Sequence, residues 1–489
     1  MSADQQHGVV FPRAADGRRS TAAVGRAVVA DALREVDRAG ALDAEQETNW
    51  RTGYLVHFRR LLEAGLESRE AAVSVAAHGL DSLRHRMRVV GDGRDVPLED
   101  WAASPSERSL DTVEIKGTGE RETELSLPYH GKRLRGDALH RRLDTWIDRG
   151  VIEPTAADAV RRVMDHPDWL ALDGHTVAVL GAGAEMGPLQ ALLRWGARVA
   201  AVDLPRPAVW ERLLETADQG AGTVVVPVEP GRTERTSRVA GADLIAEVPA
   251  VADWLGAQPG RLVLGNYVYA DGATNVRVSV AVDALTTRLT AAREDTALGF
   301  LATPTDVFAV PSDAVWQSTR AYEGRTATAK ILGRPLRAAS AGRLLRRAYV
   351  PGSDPGINDS LVPQQGPNYA LAKRLQRWRA TVARDGGTTV SLNVAPPTRT
   401  RSVVKNRALA AAYAGAHRFG VEVFEPATSN VLMAALLVHD LHTDGGPRHE
   451  HPWQDEAHAA VHGGLWRTAY APRSALGLAA LLGYGAART

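Results

Sequence analysis

His175-Thr-Val-Ala-Val-Leu-Gly181-Ala-Gly183-Ala-Glu-Met-Gly187 joins a short apolar run to three glycines, and this junction decides the fold class. An apolar run of that length closed by glycine predicts a buried strand turning into a helix. At such a turn a bare backbone can approach a pyrophosphate, and the helix N-terminus offers unpaired N–H groups to its charge. Residues 188–195 are the expected helix, and 198–202 form a second strand ending at Asp203. An acid there can accept both hydroxyls of an adenine ribose and repels a 2′-phosphate. NAD is therefore the expected cofactor, while Arg206 keeps NADP open. Gly181, Gly183, Gly187, Asp203 and Arg206 are the candidate cofactor residues. Alone the glycine triplet is weak, since about 0.4 would arise by chance at this glycine content. A methyltransferase using S-adenosylmethionine shares the glycine turn and the acid, but usually carries another acid two residues before the first glycine, where this chain has Val179.

Working outward, short apolar runs alternate with helical stretches from His175 onward, the pattern of a parallel sheet covered on both faces. Strands are expected at 176–180, 198–202, 223–228, 243–246, 297–302, 388–394 and 421–424, with a weaker candidate at 262–267. The fold class is α/β, a doubly wound, Rossmann-like parallel sheet preceded by a mainly helical domain. Residues 1–20 read as a flexible start and 21–170 as a helical accessory domain for substrate binding or oligomerisation. The nucleotide-binding domain then covers 171–442, and 443–489 form a C-terminal extension. Helices are expected at 22–39, 49–64, 137–148 and 156–164, the last with Thr155 as N-cap, and a hairpin around Gly117-Thr118-Gly119.

Lys plus Arg number 58 against 57 Asp plus Glu, so no net field favours nucleic acid or an anionic membrane over small ligands. The absence of cysteine excludes disulfides and thiolate chemistry and fits a reducing compartment. No signal-peptide core or 20-residue apolar run is present, so a cytoplasmic location is expected. His458 and His462 stand at metal-ligand spacing, but no Glu follows His458 and no metal is expected.

Only five lysines occur, and one of them follows a tyrosine at helical spacing, in Asn368-Tyr369-Ala-Leu-Ala-Lys373. Four residues apart, phenol and ammonium share a helix face. The cation is expected to lower the Tyr369 pKa toward working pH, which suits acid–base catalysis. By composition about 0.1 such pairs would arise by chance.

Together the Gly181 turn, Gly366-Pro-Asn-Tyr369-Ala-Leu-Ala-Lys373 and the later run Val390-Ser-Leu-Asn-Val-Ala-Pro-Pro-Thr-Arg-Thr400 resemble the short-chain dehydrogenase/reductase family over most of residues 175–440. The resemblance implies hydride transfer between NAD(P) and a carbonyl or secondary alcohol, with Tyr369 as acid–base and Lys373 also holding the nicotinamide ribose. It implies that Asn275 supports the proton relay, that Pro396 and Thr398 lie in the loop touching nicotinamide, and that the protein is a homo-oligomer. The family's serine would fall at Thr303 or Thr305, or be replaced by Ser360. Tyr369 follows the threonines by more than 60 residues, so 308–365 is read as an insertion covering the pocket of a bulky small-molecule substrate. Glu185 replaces a family glycine, and a carboxylate there is unfavourable beside a pyrophosphate unless it points away. Non-redox chemistry on the same fold (isomerase, dehydratase or cyclase) and a catalytically dead binding scaffold are the alternatives.

Overall fold

The computed structural model describes residues 7–91, 93–232 and 237–485. At its centre lies a sheet of seven strands, β1 (Asp111–Lys116), β2 (His175–Leu180), β3 (Arg198–Val202), β4 (Thr223–Val228), β5 (Arg261–Asn266), β6 (Ala297–Ala302) and β7 (Val390–Val394). In space they follow the order β7-β6-β5-β2-β3-β4-β1. Strands β2 to β7 are parallel, and β1 adds antiparallel to β4. Counted from β2, the parallel strands run 3-2-1-4-5-6 across the sheet, the doubly wound order whose direction switches between β2 and β5.

Alternation of side chains explains why these runs are apolar throughout. Ala178, Leu180, Ala200 and Val202 face one core, whereas Val177, Val179, Val199 and Ala201 face the other. The first core lies under helices Ala273–Ala292 and Gly366–Asp385, which are covered in turn by Thr21–Leu33, Trp50–Gly65 and Arg69–Arg86. The second lies under Gly136–Asp148, Pro154–Asp165, Leu189–Arg194, Pro207–Gln219 and Pro426–His442. Residues from the 21–170 segment thus cover both faces of the sheet and supply β1 at its edge.

Several local expectations are corrected. The fourth parallel strand is Arg261–Asn266, not 243–246. There, the Asp243 carboxylate accepts from the Ile245 N–H at 2.9 Å, and the Asp243 N–H donates to Glu247 at 2.7 Å. Such local bonds compete with a sheet ladder. Residues 421–424 make only a single bridge, Thr398 to Phe424. The hairpin at Gly117-Thr118-Gly119 does not form, because β1 pairs with β4 and Leu127–Tyr129 pairs with Lys132–Leu134. The helix expected at 22–39 breaks at Asp37, whose carboxylate caps the Gly40 N–H at 2.9 Å and starts Arg38–Gln46. Thr155 caps nothing: Pro154 opens its helix and the Thr155 hydroxyl accepts from the Ala459 N–H. Gly8–Val10, within the start read as flexible, is a buried strand paired with Arg88–Gly91; residues 1–6 lie outside the described ones. Helix Pro452–Ala457 ends before His458, so the two histidines share no helix face.

The insertion leaves β6 and closes on itself. Val307–Val310 and Gly356–Asp359 form a two-stranded antiparallel ribbon with Val307 opposite Asp359. At its base the Ser360 N–H donates to the Asp306 carbonyl at 3.1 Å, so the chain returns to the place it left. Asp306, 1% exposed, lies there in a charge cluster. Its carboxylate accepts from Arg374 at 2.6 Å and Arg377 at 2.7 Å, and Arg377 also forks onto Glu456 at 2.7 and 2.6 Å. Burial pushes the Asp306 carboxyl up, but the two arginine charges outweigh it and hold it below the usual range. A carboxyl shifted in that direction contributes stability above its ordinary range and loses it as the pH falls through the lowered value. Asp306→Asn leaves two buried arginines undercompensated and is expected to cost about 3–5 kcal/mol. Urea unfolding measures this; an unchanged midpoint would show that the cluster contributes nothing to stability.

Candidate active site

The switch in strand order between β2 and β5 lies beside Gly181, at the end of β2. The φ of Gly181 is +80°, and a Cβ there would stand 3.1 Å from the Tyr267 backbone, so glycine is required on both counts. The N–H groups of Gly181 and Ala182 donate to the Val202 carbonyl. Asp203, at the end of β3, accepts from the Gly183 N–H and the Leu204 N–H, both at 2.8 Å. Arg206 is exposed. Gly187 is fixed from across the second core by the Asn430 side-chain amide, which donates to its carbonyl. The helix after the turn is short, Leu189–Arg194. Glu185 is occupied by Arg401, with an ion pair at 3.0 Å and a bond from the Arg401 N–H at 2.8 Å.

The unpaired N–H groups expected at the turn are not found, since those of Gly181, Ala182, Gly183, Ala184 and Gly187 all have acceptors within the protein, and the fit to a dinucleotide rests on the side chains. The one carboxylate that would oppose a pyrophosphate is neutralised by Arg401, and a carboxylate with two bonds made retains lone pairs for ribose hydroxyls.

Tyr369 lies in the first turn of helix Gly366–Asp385, which Gly366 opens at φ +79° with Pro367 behind it. The helix brings its phenol near the loop after β6, where the hydroxyls of Thr303 and Thr305 lie 2.9 Å from each other and are close enough to act on the phenol's proton affinity. Burial pushes the Tyr369 pKa up, and the Asp306 charge adds to this; Thr303, Thr305 and Gln365 oppose it without prevailing. The fall expected from Lys373 therefore does not occur: desolvation wins, and the resting group is a neutral phenol. Lys373, one turn on, donates to Gln376 at 3.0 Å, and Gln376 donates to Asn266 at the end of β5 at 3.3 Å. Burial pushes the Lys373 amine down to about 8.

The other candidates part from this group. The Ser360 hydroxyl donates to Asn358, whose amide reaches Tyr349 and the Leu465 carbonyl. Asn275, 2% exposed, accepts from the Ala270 N–H at 3.1 Å and anchors the loop after β5. Thr398, beside Pro396 in the buried loop after β7, donates to the Pro396 carbonyl at 2.9 Å and meets Ser429 at 2.7 Å. Sequence reading missed Gln376 and Ser402. Only Gln376 left a signal, three residues beyond Lys373 on the same helix face. Of the two tyrosines after β5, Tyr267 is core, whereas Tyr269 is 50% exposed and packs edge-on to Tyr369 at 6.3 Å.

No family model and no curated protein matches this chain. A solved thiolation-reductase di-domain from an archaeal non-ribosomal peptide synthetase aligns at TM-score 0.28 and 12% identity, over 56% of this chain and 54% of that one. The match spans about half of that structure and carries no argument about activity. No helix among the described residues is long and apolar enough to cross a membrane.

A lysine without a carboxylate partner should titrate early. Reductive ¹³C-methylation followed by NMR is expected to give a Lys373 resonance with a midpoint near pH 8, as the depressed value requires. Loss of that resonance in Lys373→Arg would assign it, and a midpoint above about 10, the ordinary lysine value, would refute the burial argument.

Proposed function

We propose that this chain is a nicotinamide-dinucleotide-dependent oxidoreductase of short-chain dehydrogenase/reductase type, reducing a carbonyl group of a small molecule. One observation carries the reading: Tyr369 and Lys373 stand one turn apart on one helix, and the paired Thr303 and Thr305 hydroxyls at the carboxyl end of β6 lie near enough to the phenol to influence it. A carbonyl oxygen placed there would accept one hydrogen bond from the phenol and another from a threonine. The raised Tyr369 pKa keeps the resting group a neutral phenol, the protonation state that a proton donor to a developing alkoxide requires. Lys373 is cationic below about pH 8 and suited to hold ribose hydroxyls.

Gly181, Gly183 and Gly187 would cradle the dinucleotide phosphates and Asp203 its adenosine ribose, with NAD preferred to NADP because a carboxylate repels a 2′-phosphate. When bound, the nicotinamide supplies the two-electron redox partner. The dead-scaffold reading is favoured by one observation: the N–H groups of Gly181, Ala182, Gly183, Ala184 and Gly187 all have acceptors within the protein.

Titration of NADH fluorescence separates the two. The oxidoreductase reading expects binding that Asp203→Ala weakens about tenfold, the worth of a lost hydrogen bond to a charged group. Tyr369→Phe should keep that binding and lower turnover of carbonyl substrates by about 10²–10⁴. Absence of binding to the native protein would favour the scaffold, and full activity in Tyr369→Phe would remove the phenol from the reaction.

A further inference from the structure

The segment 399–407, Arg399-Thr-Arg401-Ser-Val-Val-Lys405-Asn-Arg407, follows β7 and places four cations in nine residues. No Asp or Glu occurs anywhere from 394 to 421, in a chain whose formal net charge is only +1. Three consecutive residues set this segment against three parts of the cleft. Arg401 pairs with Glu185 of the glycine turn at 3.0 Å. Ser402 lies near enough to the Tyr269 phenol to influence it, and the Tyr269 ring packs edge-on to Tyr369 at 6.3 Å. Val403 packs on Val362, in the stretch leading into the Tyr369 helix. The short helix Arg401–Lys405 therefore forms a strap between the cofactor turn and the tyrosines.

Arg401 already has its acid. Arg399, Lys405 and Arg407 are exposed and have no side-chain partner among the described residues. Arg401 and Lys405 are like charges four apart, which opposes the helix they share unless an anion lies near. Cations concentrated in one short exposed segment raise the local concentration of anionic ligands, an effect that salt weakens.

We propose that the strap 399–407 is an anion-recognition site, taking a phosphate-type group of the molecule that enters the Tyr369 cleft. Two sources share that chemistry: a phosphorylated substrate, and the phosphates of the dinucleotide itself. The identity of the cleft rests on the oxidoreductase reading, but the strap can be tested apart from it.

The test compares the native protein, an Arg399→Gln, Lys405→Gln, Arg407→Gln triple variant and a charge-keeping Arg399→Lys, Lys405→Arg, Arg407→Lys control by calorimetry at low and high salt. Inorganic pyrophosphate and NADH are the probes. Pyrophosphate affinity is expected to weaken with salt, to fall about tenfold in the glutamine variant, and to be kept in the control. Unchanged NADH affinity in the glutamine variant then assigns the strap to the substrate's anion, and a parallel loss assigns it to the dinucleotide. NADH failing to bind the native protein while the strap still takes pyrophosphate removes the oxidoreductase and leaves the anion site standing. Pyrophosphate that does not bind the native protein, or binds the folded glutamine variant equally well, overturns the proposal.

Discussion

Two arginines and two carboxylates, buried together, hold the chemistry of this molecule in register. Asp306 follows Thr305 directly, while Arg374 and Arg377 stand on the same helix as Tyr369 and Lys373. Joining Asp306 to both arginines fixes that helix against the end of β6, and the fork from Arg377 to Glu456 ties in the C-terminal segment. Desolvating four charges is costly, and their mutual attraction roughly offsets it. The gain is geometric, because planar guanidinium forks accept few arrangements of their partners. The threonine hydroxyls lie near the phenol because this joint sets the distance between their elements.

The same burial that supports the joint sets the proton affinities nearby. For both Tyr369 and Lys373 the removal of water is the largest influence, and it drives both toward their neutral forms. An argument from charge proximity alone gives the wrong sign for the tyrosine. Distance from solvent, which no local spacing reveals, decides it.

What could be read in the sequence follows from how local each signal is. The strands of the parallel sheet are short apolar runs bounded by glycine and polar residues, and six of the seven were visible in that way or as the weaker run at 262–267. In the fold that run is β5, where Gly265 makes room for the Tyr267 ring and Asn266 receives Gln376. Residues 243–246 looked like a strand because Leu244 and Ile245 are apolar, but Asp243 spends its carboxylate on the local backbone. The Tyr369–Lys373 pair was legible because a helix fixes four-residue spacing. The nearness of Thr303 and Thr305 to the phenol was expected only through the family resemblance. The charge cluster was not legible at all, since it joins residues brought together only by the finished sheet.

Strand β1 carries a consequence for how the chain is made. It pairs with β4 across the register Asp111 to Val228, so a strand finished early must wait for a partner translated more than a hundred residues later. At ribosomal rates of 5–20 residues per second, that interval is about 5–20 s. During it, an unpaired edge is available to any other nascent chain. Asp111, Glu114 and Lys116 are exposed in the finished sheet, and only Ile115 is fully buried. This alternation of charge with small apolar content is the composition that keeps a waiting strand from pairing with the wrong neighbour.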